Sequence, residues 1–95
     1  MKENMRVHLY ISGIVQGVFF RSNTREVAIK LHITGWVRNL RDGRVEVIAE
    51  GPKNTIDQFI QWCHKGPPGA SVDAVEIDWQ NVTGEFGSFE ILYRY

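Results

Sequence analysis

Val7-His8-Leu9-Tyr10-Ile11-Ser12-Gly13-Ile14-Val15-Gln16-Gly17-Val18-Phe19-Phe20-Arg21 changes periodicity partway along, and that change sets the fold. Val7, Leu9 and Ile11 alternate with His8, Tyr10 and Ser12, the period-two pattern of a strand over 6–14 with one buried face. Beyond the run, Val27, Ala28 and Leu31 fall on one stripe of a helix, with Ser22 as its expected N-cap. Between the two lies a loop with two glycines and one guanidinium. A loop at a strand-to-helix junction turns backbone N–H groups toward one point, beside the positive end of the helix dipole. Arg21 adds a planar fork suited to phosphate or carboxylate. The run has the form of an anion cradle.

Working outward, Gly35–Leu40 is short and extended around Trp36 and Val37, and Asp42-Gly43 is a hairpin turn. The return strand sets Val45, Val47 and Ala49 against Glu46, Ile48 and Glu50, and Gly51-Pro52 is expected to end it. Ile56, Phe59, Ile60 and Cys63 at i, i+3, i+4 and i+7 mark a second helix over 53–65, closed by Gly66-Pro67-Pro68-Gly69. Val75, Ile77 and Trp79 alternate in a fourth strand, and after a turn at 84–88 Phe89, Ile91 and Tyr93 mark a short last one. The order β-α-β-β-α-β plus a short terminal strand predicts an α+β, ferredoxin-like split β-α-β sandwich. Right-handed crossovers place its two helices on one face of a mixed, mainly antiparallel sheet. In that layout the first strand is central, and the 35–40 strand passes near the loop at its C-terminal end.

Ninety-five residues are expected to form a single domain over 1–95. Eleven basic and eleven acidic residues cancel, which argues against a general nucleic-acid binder, although Arg21, Arg25, Arg38, Arg41 and Arg44 concentrate positive charge around the cradle. Such a cluster also suits a merely solvated face. Cys63 is the only cysteine, so the chain forms no internal disulfide, and its place on a helix stripe reads as a buried residue. Met1-Lys2-Glu3-Asn4 leads into a strand without the apolar run of a signal peptide or membrane span, so no membrane association and a cytoplasmic location are expected.

The loop spacing fits neither the P-loop nor the Gly-x-Gly-x-x-Gly fingerprint, so any anion held here is small and gripped by backbone N–H groups and Arg21. A bare strand-to-helix turn satisfies the same spacing. His8, His32 and His64 lack the close spacings of a zinc site, and no metal is expected. Ser12, Ser22, Ser71 and Ser88 stand in no nucleophile elbow, and the carboxylates form no paired set. Asn39 stands in a strand, where asparagine is depleted. It reads either as a hairpin-end residue bonding its own backbone or as a polar group fixing a water beside the anion.

Gly13, Val15, Gln16, Gly17, Val18, Phe20 and Arg21, followed by Gly35, Trp36, Val37, Asn39, Asp42, Gly43 and Val45, resemble the two signatures of the acylphosphatase family, in order. Lys65-Gly66-Pro67-Pro68 and the aromatic-rich end are also similar. The resemblance implies metal-independent hydrolysis of the carboxyl-phosphate bond of acyl phosphates, such as carbamoyl phosphate, 1,3-bisphosphoglycerate or the synthetic benzoyl phosphate, with no cofactor. It implies that Val15, Gln16, Gly17, Val18, Phe19, Phe20 and Arg21 bind the substrate's phosphoryl group, that Arg21 and Asn39 are catalytic, and that Asn39 orients the water. A small-molecule acyl phosphate is then the partner, inorganic phosphate is product and inhibitor, and the chain is expected to work as a monomer without nucleic acid. His32 departs from a glycine common in the family just after the first helix.

A different class stays open at this point: a non-catalytic ferredoxin-like module that only binds a small ligand. Its RNA-binding form would stack bases on strand aromatics, which 44–51 lacks, and a metal carrier would need a second cysteine. A third reading, the acylphosphatase-like part of a larger carbamoyl-transferring protein, is disfavoured by the chain ending at Tyr95.

Overall fold

The computed structural model of the chain describes residues 3–93. Its elements are β1 (Asn4–Ile14), α1 (Phe20–Lys30), β2 (Thr34–Asn39), β3 (Val45–Pro52), α2 (Lys53–Lys65), β4 (Ser71–Gln80) and β5 (Phe89–Leu92). The strands form one sheet in the order β4-β1-β3-β2-β5, antiparallel except for the parallel pair β2–β5. This is the expected arrangement with one refinement: β3 holds the middle and β1 lies inside, between β3 and β4.

The alternation read from the sequence sets the core. Val7, Leu9 and Ile11 of β1, Val45, Val47 and Ala49 of β3, and Val37 of β2 are fully buried in one cluster with Ala28 of α1 and Ile56, Phe59 and Cys63 of α2. Burial pushes the Cys63 thiol up, so it is no nucleophile at neutral pH.

The helix-free face departs from a simple solvated surface. Every residue of β3 from Val45 to Gly51 is buried, Glu46 and Glu50 included. Long side chains from the flanking strands fold over this middle strand. Glu46 accepts hydrogen bonds from His8 Nε2 at 2.6 Å and Arg38 Nε at 2.6 Å. Glu50 accepts from Arg6 Nη1 at 2.8 Å and from Thr83 N, Thr83 Oγ1 and Gly84 N at 3.1 Å each, which ties the 81–88 segment across the sheet. Burial raises both carboxyl groups, but these donors outweigh it and hold both below the ordinary glutamate value.

Two helix ends differ from local expectation. The N-cap of α1 is Phe19, three residues before Ser22, and it makes no side-chain capping bond. Phe20, buried against Trp62 at a ring-centroid distance of 5.5 Å, enters the core and fixes where the helix begins. Ser22 lies inside the first turn, its Oγ donating to Phe19 O at 3.2 Å. At the other end, Ile33 N donates to Ala28 O at 2.8 Å and His32 N to Ile29 O at 3.1 Å. That is the Schellman pairing, with His32 in the position glycine usually fills. His32 has φ 57°, so the departure noted in the sequence does carry backbone strain. His32→Gly is expected to raise stability by about 1 kcal/mol and leave turnover unchanged, as a urea titration beside an activity assay would show. Unchanged or lower stability would mean that the imidazole contributes a compensating contact.

Candidate active site

The strand-to-helix loop, the end of β2 and the chain beyond β5 enclose one cavity of about 320 Å³. Val15, Gly17, Phe19, Phe20 and Arg21 line it from the loop, and Asn39 from the last position of β2. The two groups are 18 or more residues apart in sequence and meet through the sheet, since β1 and β2 both pair with β3. Ser22, Ile91 and Tyr93 complete the lining. None of these three was singled out for the site from the sequence. Ile91 and Tyr93 arrive because β5 adds to β2 in parallel, a long-range pairing that no local motif announces.

The loop is shaped to leave donors unspent. Among the described residues no backbone N–H from Val15 to Phe19 bonds to another backbone carbonyl. The first turn of α1 carries no acidic residue, and its cap supplies no side-chain acceptor. A helix start of that kind exposes N–H groups and partial positive charge to whatever lies before it. The two glycines divide the work of bending. Gly13 has φ 125°, and a Cβ there would meet Ser71 O at 2.1 Å, so it lets β1 bulge closely against β4. Gly17 has φ 75° with open space where a Cβ would stand, so its requirement is the left-handed backbone.

The remaining residues expected in the cradle take different parts. Gln16 does not line the cavity: its Nε2 donates to Leu40 O at 2.7 Å and Arg44 O at 2.9 Å. The amide is a strut between the loop and the β2–β3 hairpin, fixing the loop relative to Asn39. Val18 packs its side chain against the core. For both residues only the backbone remains to face an anion. Asp42-Gly43 forms the hairpin as expected, closed by Leu40 N donating to Arg44 O at 2.8 Å, with Gly43 alone at positive φ. Asp42 caps the turn by accepting from Arg44 N and Arg44 Nε, and those bonds hold its carboxyl below the ordinary value.

Arg21 is half-buried, and its guanidinium sits 5.3 Å from the centre of the Tyr93 ring. Among the described residues it has no carboxylate partner. The clustered charge seen in the sequence is otherwise dispersed: Arg38 pairs with Glu46, Arg44 with Asp42, and Arg25 Nε donates to Phe89 O. Among the described residues no acidic side chain lines the cavity, so its electrostatics favour an anion. Asn39 Oδ1 is buried and, among the described residues, has no hydrogen-bond partner. A buried acceptor left bare is costly and marks a place where a ligand or water is received.

Phe19 stands out for its backbone. It has φ 61° and ψ 27°, a conformation that costs a bulky residue on the order of 1 kcal/mol or more. Three donors hold it there through its carbonyl: Asn23 N at 3.1 Å, Asn23 Nδ2 at 2.9 Å and Ser22 Oγ at 3.2 Å. The histidines lie elsewhere, His8 on Glu46, His32 at the end of α1 and His64 on Ile60 O. Among the described residues no three His, Cys, Asp or Glu side chains are grouped to hold a metal ion, and no helix is long and apolar enough to cross a membrane.

The acylphosphatase family model matches residues 7–91. The chain is 53% identical over 91 residues to an acylphosphatase of Pyrobaculum islandicum, covering 95% of this chain and 96% of the relative. In structure it is similar to the acylphosphatase of Bacillus subtilis, with a TM-score of 0.90 and 34% identity over 94% of this chain and 99% of the other. It is likewise similar to an acylphosphatase of Coxiella burnetii, with a TM-score of 0.88 and 38% identity over 94% and 93% of the two chains.

Proposed function

The chain belongs to the acylphosphatase family, and we propose that its 15–21 loop and Arg21 hold the phosphoryl group while Asn39 orients the attacking water. Hydrolysis of acyl phosphates, which yields a carboxylate and inorganic phosphate, is the activity that goes with that membership. The observation that carries the assignment of roles is the pairing, in one cavity, of a guanidinium and a buried amide oxygen that, among the described residues, have no carboxylate and no hydrogen-bond donor respectively as partner.

The chemistry asks for little more. The water oxygen bonds to phosphorus as the bond from phosphorus to the acyl oxygen breaks, and the carboxylate leaves with the electron pair. A carboxylate is the conjugate base of an acid with a pKa of about 4, so it leaves without a general acid. Charge on the transferring phosphoryl group is met by Arg21, the loop N–H groups and the start of α1, and positioning supplies much of the rest. An amide is no base at neutral pH, so the proton lost by the water passes to a phosphoryl oxygen of the substrate or to solvent.

In this reading no metal or thiol takes part, the chain acts as a cytoplasmic monomer on a small molecule, and inorganic phosphate competes with substrate for the cradle. Benzoyl phosphate should be hydrolysed rapidly with EDTA present, a phosphate monoester should be nearly inert, and phosphate should inhibit competitively. Loss of activity on dialysis against chelator, restored by zinc or magnesium, would overturn the backbone-cradle mechanism. Phosphate binding without turnover of any acyl phosphate would return the chain to the class of binding modules.

A further inference from the structure

We propose that Asn23 is a positioning residue for phosphate binding: its side chain holds the Phe19 carbonyl and so keeps the loop in the left-handed form that receives the anion. This rests on the phosphoryl group occupying the 15–21 loop, and it adds which residue outside the cavity lining keeps that loop ready.

The backbone turns left-handed twice within the loop. Gly17 has φ 75° and Phe19 has φ 61°, with Val18 between them at negative φ. A backbone whose hand alternates in this way gathers successive N–H groups into one concavity, a form that suits an anion. Gly17 makes its turn without steric cost, whereas Phe19 carries a Cβ and intrinsically favours other angles. Something must therefore hold Phe19 in place. Its ring does not, being 80% exposed and outside the core cluster.

The hold is on the carbonyl. Asn23 N donates to Phe19 O at 3.1 Å, the first bond of the helix, which any residue but proline would make at this position. Asn23 Nδ2 adds a bond of 2.9 Å that depends on the side chain, and Ser22 Oγ adds the longest at 3.2 Å. In a trans peptide the C=O and the following N–H point in opposite directions. With Phe19 O drawn into the first turn, the Phe20 N–H points back out of the helix start, toward the loop. Phe20 is the first residue of α1, so that N–H has no acceptor within the helix, and Phe20 lines the cavity. Asn23 is not part of that lining and faces a separate groove beside Trp62 and the 65–70 turn. It reaches the anion only through the peptide it holds.

Asn23→Ala tests this without endangering α1. The backbone bond stays, and a weak helix former gives way to the strongest. Losing one ordinary hydrogen bond shifts the loop by about fivefold toward a relaxed form that Phe19 already favours. Apparent affinity then falls with the fraction of competent loop, while a bound anion restores that loop. The inhibition constant for inorganic phosphate and the KM for benzoyl phosphate should therefore rise together, by at least about threefold, with kcat kept within about twofold. In a Phe19→Gly background the same substitution should move the phosphate constant by less than about twofold, because glycine adopts the left-handed form unaided. A lower melting temperature with an unchanged phosphate constant would overturn the proposal and leave Asn23 a stabilising residue alone. An equal rise in the Phe19→Gly background would overturn it too, since the effect would not pass through the left-handed turn. An unaltered protein in which phosphate shifts none of the 15–21 amide resonances, and which hydrolyses no acyl phosphate, would overturn the cradle and this proposal with it.

Discussion

Arg21→Ala should yield a folded protein that has lost both phosphate binding and most turnover. Among the described residues the guanidinium is the one charged side chain in the cavity lining and has no carboxylate to hold it in place for the sake of the fold. Each charge-assisted hydrogen bond it makes to a phosphoryl oxygen is worth roughly 1.5–3 kcal/mol, and its fork geometry provides for two. Removing both should reduce kcat/KM by about 10²- to 10⁴-fold at the usual conversion of 1.4 kcal/mol per decade. The inhibition constant for inorganic phosphate should rise with it, because the same contacts serve the product. Arg21→Lys should recover part of the binding through charge alone and much less of the turnover, since a point charge does not reproduce the planar fork. An Arg21→Ala protein that binds phosphate normally would place the anion elsewhere, on the loop backbone or outside this cavity.

How much of this was legible in the sequence follows from how local each determinant is. The second helix falls where its apolar spacing and following glycine put it, at Lys53–Lys65. Its stripe and its stop signal are both short-range. The alternation of Val7, Leu9 and Ile11 likewise fixed which face of β1 is buried, and Asp42-Gly43 fixed the hairpin that carries Asn39 to the loop. Features decided by distant contacts were read less well. Ser22 has the chemistry of a cap, but insertion of Phe20 into the core starts α1 earlier. β4 begins at Ser71, before its alternation is visible, because Gly13 and Ile14 of the bulged β1 continue to pair with Val72 and Ser71.

The site divides the same way. The loop that we propose as its cradle was visible because glycines and an arginine at a strand-to-helix junction form a contiguous string. Gln16, within that string, proved to brace the hairpin through two backbone carbonyls 24 and 28 residues away, a role that no spacing encodes. Tyr93 was legible only as part of an alternating, aromatic-rich end, because an aromatic near a chain end becomes a wall of the cavity only through β5 docking on β2. The charge cluster was legible as composition and misleading as a map, since most of its members are spent on neighbouring carboxylates and carbonyls.

Asn39→Ala should separate what Arg21→Ala joins, giving a folded protein that binds phosphate and scarcely turns over. The cradle N–H groups and Arg21 are untouched by the change, so the phosphate inhibition constant should stay within about twofold. The water loses the group that aims it. Misplacing a reactant in an otherwise assembled site should lower kcat by on the order of 10²-fold or more. Stability gives the sharper discrimination, because the two readings of this residue predict opposite signs. A hairpin-end asparagine that bonded its own backbone would lose about 1 kcal/mol on truncation. Among the described residues Asn39 Oδ1 makes no such bond and is buried without a partner, so its removal deletes an uncompensated acceptor. The variant should therefore melt at the same temperature as the parent or slightly above it, while its kcat collapses. A variant less stable than the parent and near normal in kcat would make Asn39 a structural residue, and the water would then have to be oriented by the loop backbone alone.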